Sequence, residues 1–242
     1  MIVKDRLIAK IVESEKMLDT LFEKQGAIYT FLNPVSYLDA QKNVDLFVSF
    51  DGVFSDGVLL ANMIKRLYGI EVSRNSFDMT SIAPKLFEDA VKNDKSIYIV
   101  ASKDSEVNKA ISILYDNYPT LRIIGFRNGY FKDDADMDDA ISKILELSPD
   151  YLIVGMGIVK QETFLLRTKN AGFKGIGFSC GGFIHQTSKN LINYYPNWVD
   201  KHDCRFLYRM LKEPHTRKRY FRASFVFPIV SFKNKFFSSN KK

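Results

Sequence analysis

A regular alternation of short apolar runs with longer amphipathic stretches constrains the fold of this chain more than any other feature. The runs are rich in β-branched and aromatic residues, as buried strands are. Their repeat of about 25–30 residues predicts a parallel sheet with right-handed helical crossovers. We therefore expect an α/β fold with a Rossmann-like, mostly parallel sheet flanked by helices. The predicted strands are 27–32, 45–50, 96–100 and 121–125, one inside 149–162, and 175–178.

The stretches between these runs predict helices. Apolar residues recur at helical spacing from Val3 to Lys24, and Gly26 ends this pattern. Asn33 and Pro34 are a favourable cap and first helical residue, so a second helix is expected over about 35–42. Further helices are predicted at 58–67, near 104–116 and at 135–147.

Length and composition favour one α/β domain with an appendage. The chain has 242 residues, of which 46% are hydrophobic. Cys180 and Cys204 are too few for a disulfide framework, and the charged first residues lack the apolar core of a signal peptide. No apolar run approaches the roughly 20 residues needed to span a bilayer. We expect a cytoplasmic protein, soluble or peripheral to the membrane.

The positive charge of the chain is concentrated at its end. Residues 201–242 contain twelve Lys or Arg, two Asp or Glu and nine aromatic residues, whereas residues 1–200 are mildly acidic. This mixture is typical of segments that lie on anionic membranes. The sequence thus predicts an α/β domain over 1–200 and a basic, aromatic, membrane-proximal helical appendage over 201–242. Nucleic-acid binding by the tail, or a tail without a partner, are the competing interpretations.

Two glycine turns follow predicted strands and are candidates for a ligand crevice. The stretch 149–162 runs from a buried strand through Gly155 and Gly157 to Lys160 and Gln161. Lys160 stands where a dinucleotide fingerprint needs its third glycine, so a nicotinamide enzyme is not expected. Glycines followed by polar groups at a helix start still suit a diphosphate or sugar hydroxyls. Gly181 and Gly182 could line the same crevice.

Acidic residues offer two further kinds of site. Asp51 and Asp56 each precede a glycine after the predicted strand 45–50, where a carboxylate could act as general base, although Asp-Gly is also ordinary turn sequence. The acidic run 132–139 has the Asp-x-Asp spacing of divalent-cation sites, but it also precedes a helix that acids would cap. His185, His202 and His215 have no partners at zinc-site spacing. For the acidic run we favour capping over a metal site, and we expect no cofactor.

Four stretches, in this order, resemble the WecG/TagA/CpsF glycosyltransferase family. They are the loop 55–57, the stretch 149–162, the glycine turn 177–186 and the block 194–221. The second and fourth carry the most specific patterns, Pro-Asp, Gly-x-Gly and Lys-Gln-Glu, then Pro-x-Trp, Tyr-Arg and Glu-Pro. The resemblance extends over roughly residues 25–222.

The resemblance implies an inverting, metal-independent transfer of a sugar from a UDP-sugar to a polyprenyl-diphosphate-linked sugar acceptor, in capsule, exopolysaccharide or teichoic acid synthesis. It gives Asp56 the position of the proposed base, with Asp51 as the alternative. Donor binding is assigned to Asn33, Arg74, Gly155, Gly157, Lys160, Gln161, Gly181 and Gly182. In the appendage, Arg209, Arg217 and Arg219 are assigned to the diphosphate, and the tail is assigned to the inner face of the cell membrane.

Two departures from the family concern contacts to the sugar. Phe31 stands at a threonine position, where the neighbouring Thr30 could compensate, and Ile184 stands where many members have aspartate. The sequence around Cys180 is similar to that of the CpsF-like branch of the family, and this similarity favours a hexose donor. The alternatives are a non-catalytic membrane-associated partner of another glycosyltransferase and a nucleic-acid-binding module. We expect no nucleic-acid partner and leave formation of a homo-oligomer open.

Overall fold

The computed structural model describes residues 3–190, 199, 205–212 and 217–237. Its strands are β1 (Ile28–Leu32), β2 (Gly52–Ser55), β3 (Ser96–Ala101), β4 (Arg122–Arg127), β5 (Tyr151–Gly155) and β6 (Ile176–Ser179). The described strands form one six-stranded sheet in the order β2-β1-β6-β5-β3-β4, and each pairing is parallel. The predicted α/β architecture is confirmed.

Helices connect the strands and cover both faces of the sheet. They are α1 (Arg6–Ser14), α2 (Pro34–Ala40), α3 (Val44–Val48), α4 (Val58–Tyr68), α5 (Ile82–Lys92), α6 (Asp104–Asn117), α7 (Asp134–Leu147), α8 (Lys160–Asn170), α9 (Phe183–Asn190), α10 (Arg205–Lys212) and α11 (Arg217–Phe237). Helices α3, α5 and α9 have no counterpart among the predicted helices. The single helix predicted over 3–24 is wrong, because α1 ends at Ser14 and a short 3₁₀ helix occupies Glu15–Thr20.

The second strand lies later in the chain than predicted. Residues 45–50 form most of α3 and a turn, and β2 begins only at Gly52. Phe47 and Phe50 are both buried three residues apart, which is the spacing of one helix face and not of one strand face. The strand predicted at 45–50 is therefore wrong. The correction places Asp51 before β2 and leaves Asp56 just after it.

Strand residues alternate between two apolar cores, one on each face of the sheet. Tyr29 belongs to the core covered by α5, α6 and α9, whereas its neighbour Ile28 belongs to the core covered by α1, α2, α4, α7 and α8. Because both faces are covered, every described strand except β4 is buried along its length and is mostly apolar on both sides. This rigid double-sided packing fixes the loops at the strand ends.

Helix α11 packs on the body of the protein with one face and exposes the other. The buried Phe227 ring meets Tyr37 of α2 edge to face, with 5.6 Å between centroids, and belongs to the second core. Asn234 Nδ2 donates to Asp5 Oδ2 at 3.0 Å. The boundary expected at 200/201 stays a prediction. Within the described part of the chain, no helix combines the length and apolar character needed to cross a membrane.

Candidate active site

A large cavity lies at the carboxyl ends of the strands. Its volume is about 1970 Å³, and it is lined by residues that follow each of the six described strands. After β3 the chain crosses to β4 on one side, whereas after β5 it crosses to β6 on the other. Ligands of open α/β sheets bind at such a switch point between neighbouring strands. The predicted crevice is thus present, and both glycine turns line it.

The turn after β5 depends on two glycines for different reasons. A Cβ atom on Gly155 would lie 2.7 Å from Cys180 Sγ and 2.8 Å from the carbonyl oxygen of Gly181, so the neighbouring turns pack too closely for a side chain. Gly157 has open space around it but a φ of +83°, which glycine adopts readily. Lys160 then begins α8 and also lines the cavity.

A buried polar network lies beneath this turn. Glu162 is fully buried, and its Oε1 accepts hydrogen bonds from Thr30 Oγ1 and Gln161 Nε2, each at 2.8 Å. Its Oε2 accepts one from the N–H of Val159 at 2.6 Å. Thr30 Oγ1 also lies 2.8 Å from Ser179 Oγ. Burial raises the pKa of Glu162, and the hydrogen bonds from Gln161 and Thr30 oppose that rise only in part.

Two neighbours of Glu162 carry unusual features. Val159 has a φ of +72°, a conformation that is costly for a β-branched residue and that clusters at functional sites. Gln161 lines the cavity and is 4% exposed, and its Oε1 has no hydrogen-bond partner among the described residues. Buried polar atoms are nearly always satisfied, so this oxygen is suited to accept a hydrogen bond from a bound molecule.

Asp56 and Asn33 follow the adjacent strands β2 and β1, and both line the cavity. The N–H of Asp56 donates to the carbonyl of Leu32 at 2.8 Å and so continues the ladder between these strands. Asn33 Oδ1 accepts from the N–H groups of Val35 and Ser36, at 3.0 Å each, and caps α2. The capping bond engages the oxygen of the Asn33 amide, which leaves its NH₂ group to serve a ligand.

Asp51 lies at the opposite end of β2 from the cavity. Its carboxylate accepts hydrogen bonds from Lys24 at 2.6 Å, from Lys169, and from the N–H of Ile28 at 3.0 Å. Burial would raise the pKa of Asp51, but the hydrogen bonds from Lys169 and Lys24 hold it below its ordinary value. Asp51 ties strand and helix ends together and is not placed to act as the alternative base.

Arg74 lies beside the end of β2, where it forms a parallel bridge with Ser55, and it lines the cavity. Its guanidinium donates to Ser76 Oγ at 2.8 Å and to Asp78 Oδ2 at 3.0 Å. These contacts hold a cation at the cavity wall. Arg66 of α4, which the sequence did not single out, also lines the cavity.

The second glycine turn places a histidine in the site. Gly181 and Gly182 line the cavity, and Cys180 is buried, with burial raising the pKa of its thiol to about 12, which suits packing rather than nucleophilic attack. His185 Nδ1 lies 2.8 Å from Glu106 Oε1, and both side chains line the cavity. Only its lack of metal partners was apparent from the sequence.

Phe31 and Ile184, the two positions that depart from the family pattern, both pack against apolar side chains. Phe31 is nearly buried against Phe54 and Phe77 at the cavity wall. Thr30 points to the opposite face of β1, as strand alternation requires, and bonds within the network of Glu162 instead of replacing a hydroxyl at position 31. Ile184 is fully buried in the first core.

The acidic run before α7 makes structural contacts. Asp133 Oδ1 accepts from the N–H of Asp136 at 2.9 Å and caps the helix, as one of the two interpretations predicted. Asp134 and Asp138 both pair with Arg167, at 2.8 and 2.6 Å. Within the described residues, no three His, Cys, Asp or Glu side chains are grouped as a metal site would require.

The appendage supplies one wall of the cavity. Tyr220, Ala223 and Phe227 of α11 line it together with Asp56 and the glycine turns. Arg217 Nε instead donates to the carbonyl of Met210 at 2.7 Å, at the end of α10. The side chains of Arg209 and Arg219, and residues 194–198, 200–204 and 213–216 of the end block, lie outside the described residues. The roles of the three arginines at a diphosphate stay predictions.

The sequence also matches the family described as "Glycosyl transferase WecG/TagA/CpsF family" over residues 8–241. The chain belongs to this glycosyltransferase family. The match includes the strands, the cavity and the appendage, so the family extends over the described fold and beyond it at the carboxyl end.

Two proteins that resemble this chain are named for the sugar transfers that they catalyse. The chain is 31% identical over 217 residues to the UDP-Gal:alpha-D-GlcNAc-diphosphoundecaprenol beta-1,4-galactosyltransferase of Shigella boydii, with 90% of each chain covered. It is 24% identical over 201 residues to the N-acetylglucosaminyldiphosphoundecaprenol N-acetyl-beta-D-mannosaminyltransferase of Bacillus subtilis (strain 168), with 81% of this chain and 76% of the relative covered.

Proposed function

We propose that this glycosyltransferase moves a hexose or N-acetylhexosamine from a UDP-sugar to a sugar linked to polyprenyl diphosphate, with inversion at the anomeric carbon. The observation that carries the proposal is the convergence of Asp56, the two glycine turns and the apolar appendage on one cavity. Drug-sized ligands occupy pockets of about 300–1,000 Å³, so a cavity of about 1970 Å³ has room for a donor and part of an acceptor together.

Asp56 is the general base of this mechanism. An inverting transfer requires a carboxylate that removes the proton of the acceptor hydroxyl while its oxygen attacks the anomeric carbon. Asp56 lines the cavity at the end of β2, and the ladder bond of its N–H to Leu32 fixes its backbone. Both named relatives form β-linked products, which an α-linked nucleotide sugar yields by inversion.

The charge that grows on the leaving diphosphate is stabilised by protein groups without a metal. The amino terminus of α8 faces the cavity through Lys160 and carries the positive end of the helix dipole. Arg74 and Arg66 add cations at the wall. The open backbone around Gly157 and Gly181 lets a diphosphate approach the main chain closely.

The outer face of α11 holds the enzyme on the membrane that carries the acceptor. Phe221, Phe225, Ile229, Phe232 and Phe236 recur on one side of the helix and are each at least half exposed. Exposed Lys218, Arg222 and Lys233 lie beside them. Apolar and cationic side chains on one helix bind anionic bilayers reversibly. We place the enzyme on the cytoplasmic face of the cell membrane, in synthesis of a capsule, exopolysaccharide or teichoic acid.

A donor screen tests the proposal. The purified chain is incubated with an N-acetylglucosaminyl-diphospho-lipid acceptor and, in turn, UDP-galactose, UDP-glucose, UDP-N-acetylglucosamine, UDP-N-acetylgalactosamine and UDP-N-acetylmannosamine. We expect one donor to release UDP and to extend the lipid by one β-linked sugar. Tight lipid binding with no turnover of any donor would instead indicate a partner protein, and product with retained configuration would contradict the base mechanism.

A further inference from the structure

We infer that Glu162 fixes the orientation of the Gln161 side-chain amide, so that its oxygen accepts a hydrogen bond from a hydroxyl of the bound nucleotide sugar. Thr30 is a positioning residue that bonds to Glu162, and Ser179 in turn lies against the hydroxyl of Thr30. The inference rests on the proposed function. It adds that this part of the site recognises a hydrogen-bond donor, and it assigns a task to a buried carboxylate that does not itself line the cavity.

The contact with Glu162 determines which end of the Gln161 amide remains for a ligand. Nε2 of Gln161 lies 2.8 Å from Oε1 of Glu162, an oxygen that also accepts from Thr30. An oxygen that receives two donors selects the NH₂ end of the amide. The remaining Oε1 of Gln161 is buried without a partner among the described residues, on a side chain that lines the cavity. An O–H or N–H group of the ligand could donate a hydrogen bond to this oxygen.

A carboxylate is needed at position 162 because three donors converge on it. Val159 N–H bonds to Oε2, whereas Thr30 and Gln161 share Oε1. Glutamine has a single acceptor oxygen, so it cannot accept on both sides. If that oxygen serves the strained turn at Val159, its NH₂ group faces Gln161, whose amide then reverses and presents NH₂ to the ligand.

The diphosphate cannot be the group that bonds to the Gln161 oxygen. Phosphate oxygens accept hydrogen bonds and would be repelled by the Gln161 oxygen, whereas a sugar hydroxyl donates one. Lys160, the preceding residue, is a cation suited to phosphate. Two consecutive residues at the start of α8 therefore recognise two different parts of the donor. The hydroxyl belongs either to the transferred sugar or to the ribose.

The test combines variants with donor analogues. The binding of UDP-galactose, or of whichever UDP-sugar the wild type turns over, is measured together with a series of analogues that each lack one hydroxyl on the sugar or the ribose. The variants are Gln161→Leu, Glu162→Gln, Thr30→Val and Thr30→Ser. Thr168→Val is the matched control, since Thr168 is a fully buried hydroxyl on the same helix that bonds only to the carbonyl of Phe164, at 2.8 Å, among the described contacts.

We expect the wild type to bind one analogue about tenfold or more weakly than the parent donor, the effect of losing one hydrogen bond to a buried acceptor. Gln161→Leu and Glu162→Gln should bind the parent UDP-sugar more weakly than the wild type does, by a similar factor. They should bind the parent UDP-sugar and that analogue equally well. Thr30→Val should also lower the affinity for the parent UDP-sugar and reduce the discrimination against the analogue. Thr30→Ser keeps the hydroxyl and should discriminate as the wild type does. Whether the sensitive analogue is modified on the ribose or on the transferred sugar identifies the hydroxyl.

Several outcomes would overturn the inference. If Glu162→Gln remains folded and discriminates between the analogues as the wild type does, Glu162 does not orient the amide. If no single hydroxyl matters to the wild type, Gln161 does not accept from one. Equal losses of discrimination in Thr168→Val would show a general disturbance of α8. If the wild type binds no UDP-sugar at all, the proposed function fails and the inference fails with it.

Discussion

Three carboxylates of this chain differ in environment more than in sequence context. Asp51 is held by two lysines at the amino end of β2, Asp56 lines the cavity at its carboxyl end, and Glu162 is buried among three donors. The Asp-Gly sequence is common to the first two. Only their positions relative to a four-residue strand distinguish the structural role of Asp51 from the chemical role proposed for Asp56.

Replacing Asp51 by asparagine should lower stability but not turnover per folded molecule. The substitution leaves Lys24 and Lys169 without their carboxylate, at a cost of about 1–3 kcal/mol in unfolding free energy at pH 7. The pKa of Asp51 is lowered in the fold, so its contribution is complete above the unfolded pKa of about 3.9 and is lost as pH falls through the folded value.

Urea unfolding of the wild type and Asp51→Asn between pH 7 and pH 3 measures this difference. The difference in unfolding free energy between the two proteins should be constant near neutrality and should become smaller toward pH 3. A difference that grows on acidification would contradict the assigned ion pairs.

Gly155→Ala tests the close approach of the two glycine turns. Its Cβ would meet Cys180 Sγ and the Gly181 carbonyl oxygen at distances that force one turn to move. Overpacking of this kind costs about 1–3 kcal/mol, and the shift should also weaken UDP-sugar binding. Thermal unfolding and donor titration measure both effects. An alanine variant with unchanged stability and binding would show that the turns are not rigidly packed.

At the scale of elements, the sequence predicted most strands and helices because their apolar periodicity was unambiguous. It failed at 45–50, where a short apolar run fits either a strand or one turn of helix, and only packing of Phe47 and Phe50 decides. The cavity residues at strand ends followed from the parallel topology. The burial of Glu162 could not be predicted in this way, because Lys-Gln-Glu at a helix start looks like an exposed capping sequence.

Helix α11 has two apolar faces, and only one has a partner within the described protein. Replacing Phe221, Phe225 and Ile229 together by serine should leave thermal stability nearly unchanged, because these side chains are exposed. In the proposed membrane contact each side chain would contribute apolar area, so the triple variant should bind vesicles containing phosphatidylglycerol at least about tenfold more weakly.

Sedimentation with such vesicles is the measurement. Val91→Ser with Tyr115→Ser is the control, since both residues are exposed apolar side chains on other helices, away from the appendage. Undiminished vesicle binding by the triple variant, or an equal loss in the control, would remove α11 from the membrane contact.

At the scale of the whole molecule, the sheet order brings distant segments to one cavity. Asp56 follows β2 at one edge, the glycine turns follow β5 and β6 near the middle, and α11 returns from the carboxyl end to form a wall. Asp5 links the beginning and end of this arrangement, because it caps α1 and accepts from Asn234. The alternation in sequence predicted the sheet, but not which wall the appendage would form.

A mechanism that relies on protein groups at the diphosphate predicts turnover without a divalent cation. UDP release from the donor identified in the screen should persist at a similar rate in excess EDTA. The control is the same assay with added magnesium or manganese. Strict dependence on either ion would contradict this part of the mechanism and return attention to Asp134 and Asp136.

The central claim is that Asp56 removes the proton of the acceptor hydroxyl. Asp56→Asn keeps the shape of the side chain and removes its basicity, so we expect unchanged thermal stability and UDP-sugar binding, with kcat lower by about 10²–10⁴-fold. The decisive measurement is single-turnover transfer to the lipid acceptor by wild type and Asp56→Asn at saturating donor. A variant that binds the donor and transfers the sugar at nearly the wild-type rate would contradict the account.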